Sequence, residues 1–328
     1  MKKAGALALT LALILSLFGC KSKPKAKSQT GVYFDTVVTL ITYEEDAPKE
    51  CFTLCEKYDK LFSATDKDSD IYKLNHAVGQ PVTVDSETAA VINTALGYCK
   101  ASGGALDITL RAVSELWNFK TESPKLPKKD ALKDALSTVG YEKVQLNGNT
   151  VTLPKGTKLD LGCIAKGYVA DKIKEIYEKH HLSGIINLGG NVLTVGKKPD
   201  GNPFSVGIKE PFSENDYVAT LRISGGSVVT SGVYERCFEL DGQRYHHLLD
   251  PKTGYPVENG LDSVTVLAES SAEADALSTA LFCMGKAAAL DYVNGKKGVY
   301  AVFLGTDASL TVSKGLTLSN GVITVDES

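Results

Sequence analysis

The stretch SSAEADALSTALFCMG, residues 270–285, constrains the fold of this chain more than any other. Ser270 with Glu273 reads as a capping box, in which side-chain oxygens satisfy backbone N–H groups that an opening helix leaves bare. Gly285 provides the flexible stop at the far end. Between them Ala274, Leu277, Leu281 and Met284 recur at helical spacing and predict a buried stripe. A helix this apolar needs a broad surface to cover it, and the chain offers strands for that purpose.

The remaining pattern mixes the two periods irregularly. VVTLITY (37–43) alternates as a strand does. Residues 47–62, 86–104 and 128–140 carry helical spacing, the last two stopped by glycines. VQLNGNTVTL (144–153) predicts a hairpin around Asn147-Gly148. A strand KLDLG (158–162) is expected to run into a helix over 165–181. Strands are expected at 184–196 (with a glycine bend), 217–223 and 227–230, and a terminal hairpin closes the chain. ERCFELDGQRYHHLLD (235–250) predicts a hairpin folded at Asp241-Gly242, a pair that suits a type I′ turn. No regular βαβ rhythm emerges, so the fold class is α+β, with mixed or antiparallel sheets and packed helices.

The N-terminus stands apart. Lys2 and Lys3 precede the apolar run Ala4–Phe18, a secretory signal pattern too short to read as a membrane span. It ends in LFGC, which resembles the lipobox of bacterial lipoproteins and makes Cys20 the expected lipidated residue, with ordinary cleavage and a free Cys20 as the alternative. The expected organisation is a signal peptide over 1–19, a basic tether over 20–30 and one domain over 31–328. The tether's lysines suit anionic headgroups. The mature chain is therefore expected outside the cytoplasm, held on the bacterial cell membrane by lipid. A formal net charge of −3 gives no basic field and argues against nucleic acid as a partner. The six later cysteines have no CxxC or zinc spacing and read mainly as small buried residues, with disulfide pairing left open.

Three segments could carry chemistry. In KLDLGCIAKGYVAD, Asp160 and Gly162 lead into a helix whose N-terminal amides and Lys166 would suit an anion; a plain strand–helix junction is the alternative. On the 270–285 helix Asp275 and Thr279 lie four apart and share a face, offering hard oxygens suited to Mg²⁺ beside substrate phosphates; ordinary capping roles are the alternative. In YHHLLDPKTGYPV (245–257) a neutral imidazole would suit a general base. Strand alternation places Gln243, Tyr245, His247 and Leu249 on one face and Arg244, His246 and Leu248 on the other. One histidine at most faces a given site, and alternation does not say which. DPKTG itself fits a type I turn.

Taken together, LDLGCIAKGYVAD, YHHLLDPKTGYP and EADALSTALF, in that order behind a lipobox, resemble the FAD:protein FMN transferase family, the ApbE-type periplasmic lipoproteins. FDTVVTL (34–40), FSATDKDSDIYKLN (62–75) and SGGALDITLRAVSELWNF (102–119) extend the resemblance over essentially the whole mature chain. It implies an ApbE-like fold and transfer of FMN from FAD, with Mg²⁺, to a threonine hydroxyl of an extracytoplasmic partner protein, releasing AMP. By motif position it implies metal ligation by Asp275, Thr279 and the Cys163 main-chain carbonyl. It implies FAD contacts at Asp160, Lys166 and Ala105, Leu106 and Asp107, with Thr65 a further flavin or adenine contact. Leu106 stands where the family more often has Phe. The histidine followed by two aliphatics and Asp-Pro, His247, takes the place of the catalytic base, leaving His246 structural or solvent-exposed. The alternatives are an FAD pyrophosphatase yielding FMN and AMP, or a flavin-binding lipoprotein without chemistry. Membrane-linked redox proteins are the acceptors that the resemblance suggests.

Overall fold

Alternation over Thr36–Thr42 buries Val38, Leu40 and Thr42 on one side, and this strand begins the main sheet's interior. A computed structural model describes residues 25–119, 125–214 and 216–326. Cys20 and the signal segment lie outside the described residues. The main sheet has eight strands in the order Lys27–Tyr33, Thr36–Thr42, Gly184–Leu188, Asn191–Val195, Gly226–Gly232, Leu261–Ala268, Tyr300–Gly305 and Leu310–Val312. Every neighbouring pair is antiparallel.

Both faces of its central strands are covered, so these read as apolar runs rather than as half-polar ones. Val229, Val266, Ala301 and Phe303 face the helices. Their neighbours Val228, Leu267 and Val302 face a second sheet. That sheet orders Leu316–Ser319, Val322–Val325, Tyr217–Ile223 and Phe204–Lys209, with one parallel pair between Val322–Val325 and Tyr217–Ile223. The result is three layers with mixed and antiparallel pairing, as the sequence predicts.

The helix Ser271–Met284 is buried almost all round. Ala274, Leu277 and Leu281 pack toward the main sheet, as expected, while Met284 is only partly covered. The opposite side is buried as well. Ala272, Ala276 and Ala280 join the core formed with helices Lys49–Phe62, Ser86–Ala101 and Ala165–Lys179. Alanine there lets the helices approach closely.

Helices Ala165–Lys179 and Ser271–Met284 cap each other. The Asp171 carboxylate accepts from Ser270 Oγ at 2.7 Å, Ser271 N at 2.7 Å and Ala272 N at 2.9 Å. In return Asp275 Oδ2 accepts from the Gly167 amide, in the first turn of the other helix, at 2.9 Å. Each carboxylate thus sits at the positive end of its neighbour. Gly167 is obligatory at the crossing, because a Cβ there would lie 2.2 Å from the Ser271 carbonyl oxygen. Gly167→Ala should therefore cost about 3 kcal/mol or more by overpacking. A shift in the urea unfolding midpoint, measured against wild type, checks this; an unchanged midpoint refutes the close crossing.

Several boundaries differ from expectation. Residues 27–30 are not tether but part of the edge strand Lys27–Tyr33, paired from Lys27↔Thr42 to Tyr33↔Thr36. Their polar side chains suit a strand with one solvent-facing edge. KLDLG is not a strand. It is an extended segment with a single bridge, Lys158 to Leu110, because the Asp160 carboxylate turns the chain at Gly162 before a ladder can form. The helix expected to reach residue 181 ends at Lys179, and His181 has a positive φ of 54°. The short helices Asp70–His76, Arg111–Trp117 and Lys286–Asn294 are additional to those predicted.

Candidate active site

The histidine hairpin forms as predicted. Cys237–Leu240 pairs with Gln243–His246, and Asp241 and Gly242 both take positive φ, 52° and 78°, as a type I′ turn requires. Beyond the ladder, the His247 N–H still donates to the Arg236 carbonyl at 3.0 Å. Alternation persists. Tyr245 and Leu249 pack with Trp117, whereas Leu248 turns toward the core of helix Ser271–Met284, as does His246, which meets the Phe282 ring edge-on at 5.9 Å.

His246 is only 7% exposed, which removes the solvent-exposed option for it and leaves the structural one. Burial lowers its pKa from 6.5 to about 4. A histidine depressed in this way contributes stability that is fully present above pH 6.5 and is lost as the pH falls toward 4. The span of about 2.5 units corresponds to ~3 kcal/mol. His246→Leu should flatten that acid slope relative to wild type in denaturant titrations between pH 7 and 4; an identical slope refutes the assignment.

His247 is half-buried, and its Nδ1 has no hydrogen-bond partner among the described residues. Its pKa is also lowered to about 4, first by burial and then by the positive charges of Arg236 and Lys166 nearby. It is therefore a neutral imidazole at physiological pH. Lys166 is shared, because its charge also acts on the buried Asp275 carboxylate, whose pKa burial raises and Lys166 opposes. Cys163, one turn before that lysine, lies close enough to Asp275 and Asp160 to feel both charges. Burial pushes its thiol well above the ordinary range, so its side chain is not a nucleophile. The structure thus gathers His247, Lys166, Asp275, Cys163 and Asp160 around the start of helix Ala165–Lys179. One amide of that helix start is already engaged by Asp275, which changes what the helix can offer an incoming anion.

The metal question turns on donor chemistry. Among the described residues no cluster of three His, Cys, Asp or Glu side chains is assembled. The available donors are the buried Asp275 carboxylate, the Thr279 hydroxyl one turn on, 3.1 Å from Ser231 Oγ, and main-chain carbonyls. Such a sparse hard-oxygen set suits an ion that keeps water and substrate oxygens as its other ligands, which is the habit of Mg²⁺.

The other predicted residues lie apart from one another, and Asp160 has further partners. Ala105 borders a cleft of about 380 Å³ between the Ser102–Ala105 turn and the turn that begins at Asp250, flanked by Cys283 and Met284. Leu106 is buried in the helical core, filling its position without an aromatic ring. The Asp107 carboxylate is spent internally, accepting from Thr109 N at 2.8 Å, Thr109 Oγ1 at 2.6 Å and Tyr141 N at 3.0 Å. It shapes the loop that follows Ala105. Asp160 stays partly open, with Oδ1 accepting from Gly162 N at 2.8 Å and Oδ2 from Arg111 Nη1 at 3.0 Å. Thr65 is exposed in a local turn with Ser63 and does not line the cleft.

The DPKTG segment is one residue wider than a type I turn. Gly254 N–H donates to the Asp250 carbonyl at 2.7 Å, closing five residues, and Gly254 has a φ of 70°. The Asp250 carboxylate braces the turn by accepting from Lys252 N at 2.9 Å. Trp117 Nε1 anchors it by donating to the Gly254 carbonyl at 2.8 Å. Trp117, Asp171 and Arg111 escaped the sequence reading. Only Arg111 left a signal there, as a charge four residues before Glu115.

Comparison with known proteins decides the family. The model of the ApbE family matches residues 34–304. The chain belongs to the ApbE family. It is 38% identical over 289 residues to a FAD:protein FMN transferase from Treponema pallidum, covering 82% of this chain and 80% of that protein. It is 32% identical to one from Klebsiella pneumoniae, with 84% and 88% covered. Among solved structures, an ApbE protein from Thermotoga maritima superposes with a TM-score of 0.82 at 32% identity, covering 88% of this chain and 97% of that one. The apo form of the Pseudomonas stutzeri flavinyl transferase ApbE superposes with a TM-score of 0.79 at 27% identity, covering 90% and 96%. The α+β architecture is thus that of the ApbE proteins.

Proposed function

We propose that this chain is a Mg²⁺-dependent flavin transferase that moves FMN from FAD to a threonine hydroxyl of a partner protein and releases AMP. The observation that carries the reading is the convergence of a neutral His247, Lys166 and a buried Asp275 at the start of one helix. The ApbE membership sets the substrate class.

The reaction is a displacement at phosphorus. The threonine oxygen bonds to the FMN phosphorus, the bond from that phosphorus to the bridging oxygen breaks, and AMP leaves with the electron pair. His247 takes the hydroxyl proton as the new bond forms. The anionic pyrophosphate beside it would raise its depressed pKa toward neutrality, which suits a base at physiological pH. Lys166 offsets charge on the phosphates. Asp275, Thr279 and the Cys163 carbonyl would hold Mg²⁺, which would supply electrostatic stabilisation of that same charge.

The test is incubation of the purified chain with FAD, Mg²⁺ and a threonine-containing acceptor. Acid-stable flavin on the acceptor, with an FMN-sized mass increase, supports transfer. Free FMN with an unmodified acceptor supports the pyrophosphatase instead, and unprocessed FAD supports simple binding.

The proposal extends to placement. Residues 1–19 act as a signal peptide, Cys20 carries lipid, and the segment before Lys27 tethers the domain to the bacterial cell membrane on its outer side. No helix among the described residues is long and apolar enough to cross a membrane. An extracytoplasmic, membrane-linked redox protein is the fitting acceptor.

A further inference from the structure

Lys158 and Asp160 lie two apart on an extended segment and point the same way. Arg111 and Glu115 lie four apart on helix Arg111–Trp117 and share a face. The structure interlocks these four charges. Lys158 Nζ donates to Glu115 Oε2 at 2.6 Å. Arg111 Nε donates to Glu115 Oε1 at 3.0 Å, and Arg111 Nη1 donates to Asp160 Oδ2 at 3.0 Å. The backbones are joined as well, by the parallel bridge between Leu110 and Lys158 and by the Asp160 N–H donating to the Ile108 carbonyl at 2.9 Å. The segment that borders the cleft at Ala105 is thereby fastened to the one that presents Asp160.

The exposures show what this fastening serves. The Arg111 side chain is 21% exposed and that of Asp160 41% exposed. The guanidinium is tucked behind, and the carboxylate remains reachable. A carboxylate has about four acceptor positions, and two of those on Asp160 are taken by Arg111 and the Gly162 amide. The rest can accept from a ligand's hydroxyl or ring N–H. A bare carboxylate would also repel the pyrophosphate of the same ligand, whereas one paired to a guanidinium keeps its lone pairs and loses its net charge.

We propose that Arg111, itself held by Glu115, is a positioning residue that orients Asp160 and cancels its charge, so that the pair sets FAD affinity without taking part in the chemical step. This rests on the flavin-transfer reading above.

The test is calorimetric titration of FAD with Mg²⁺ present and no acceptor, together with steady-state transfer kinetics. Arg111→Gln and Asp160→Asn should each weaken FAD binding about tenfold, the scale of one charge-assisted hydrogen bond. At saturating FAD, kcat of Arg111→Gln should stay within about twofold. Arg111→Lys, which cannot fork to both carboxylates, should fall between wild type and Arg111→Gln. The double variant should be no weaker than about tenfold, because both changes break one unit. Losses that multiply toward a hundredfold, or an unchanged affinity in Arg111→Gln, would overturn the proposal. Should Arg111→Gln fail to fold, Glu115→Gln decides, since it loosens the guanidinium while leaving it on Asp160. A two- to threefold loss of affinity is then expected, and no loss overturns the role. Absence of FAD binding by wild type would remove the flavin reading itself, whereas binding with multiplicative losses would remove only the role of Arg111.

Discussion

His247→Asn should abolish transfer, lowering kcat by on the order of 10²–10⁴, while FAD still binds to within a few-fold of wild type. Asparagine keeps a similar planar shape and a polar edge, so the half-buried slot stays filled. It cannot accept a proton at these pH values. The local backbone is held by the His247 N–H to Arg236 bond and the hairpin ladder, neither of which uses the imidazole. The pH profile adds a second signature. Burial and neighbouring positive charge lower the imidazole's pKa to about 4. In the free protein the base is therefore unprotonated well below the ordinary histidine range. The acid limb of kcat/KM should then lie below pH 6.5, and that of kcat, reported by the complex with its phosphates, should lie higher. Full transfer by His247→Asn would refute the assignment, and a kcat/KM limb at or above pH 6.5 would refute the depressed pKa.

The same hairpin shows how far the sequence was legible. The Asp241-Gly242 turn and the alternation of Tyr245, His246, Leu248 and Leu249 are local matters, set by backbone sterics and a two-residue period. Local physics therefore predicted them. The choice of His246 as the structural partner depends on Phe282, which arrives from a helix far along the chain, and no period announces such a contact. Helix Ser271–Met284 was readable from its caps and stripe, but its second buried side required helix Ala165–Lys179 to be placed against it. The reciprocal caps, Asp171 on one helix and Asp275 on the other, are tertiary in the same sense. KLDLG looked like a strand because its apolar and polar residues alternate; the Asp160 carboxylate spends that alternation on a turn.

Asp275 makes the sharpest remaining test, because the residue serves stability and chemistry in opposite directions. The residue is 4% exposed, and burial raises its pKa, so the charged form costs the protein free energy. Stability from this group is present below the unfolded pKa of about 3.9 and is lost as the pH rises through the folded value. Asp275→Asn removes that cost while keeping an oxygen to accept from the Gly167 amide. It should melt at or above the wild-type temperature near neutral pH, measured without metal. Transfer should nonetheless fall by on the order of 100-fold or more, with a comparable rise in the Mg²⁺ concentration for half-maximal rate, because a neutral amide is a poor ligand for a hard cation. Asp275→Ala should lose activity to the same degree and also lose about 1 kcal/mol of stability relative to Asp275→Asn, since the Gly167 N–H is left without its acceptor. A destabilised but active Asp275→Asn would mean that the carboxylate is a helix cap alone. A stable, inactive one that excess Mg²⁺ partly restores would show that this chain keeps a costly buried charge at the crossing of its two central helices because the cation of the reaction requires it.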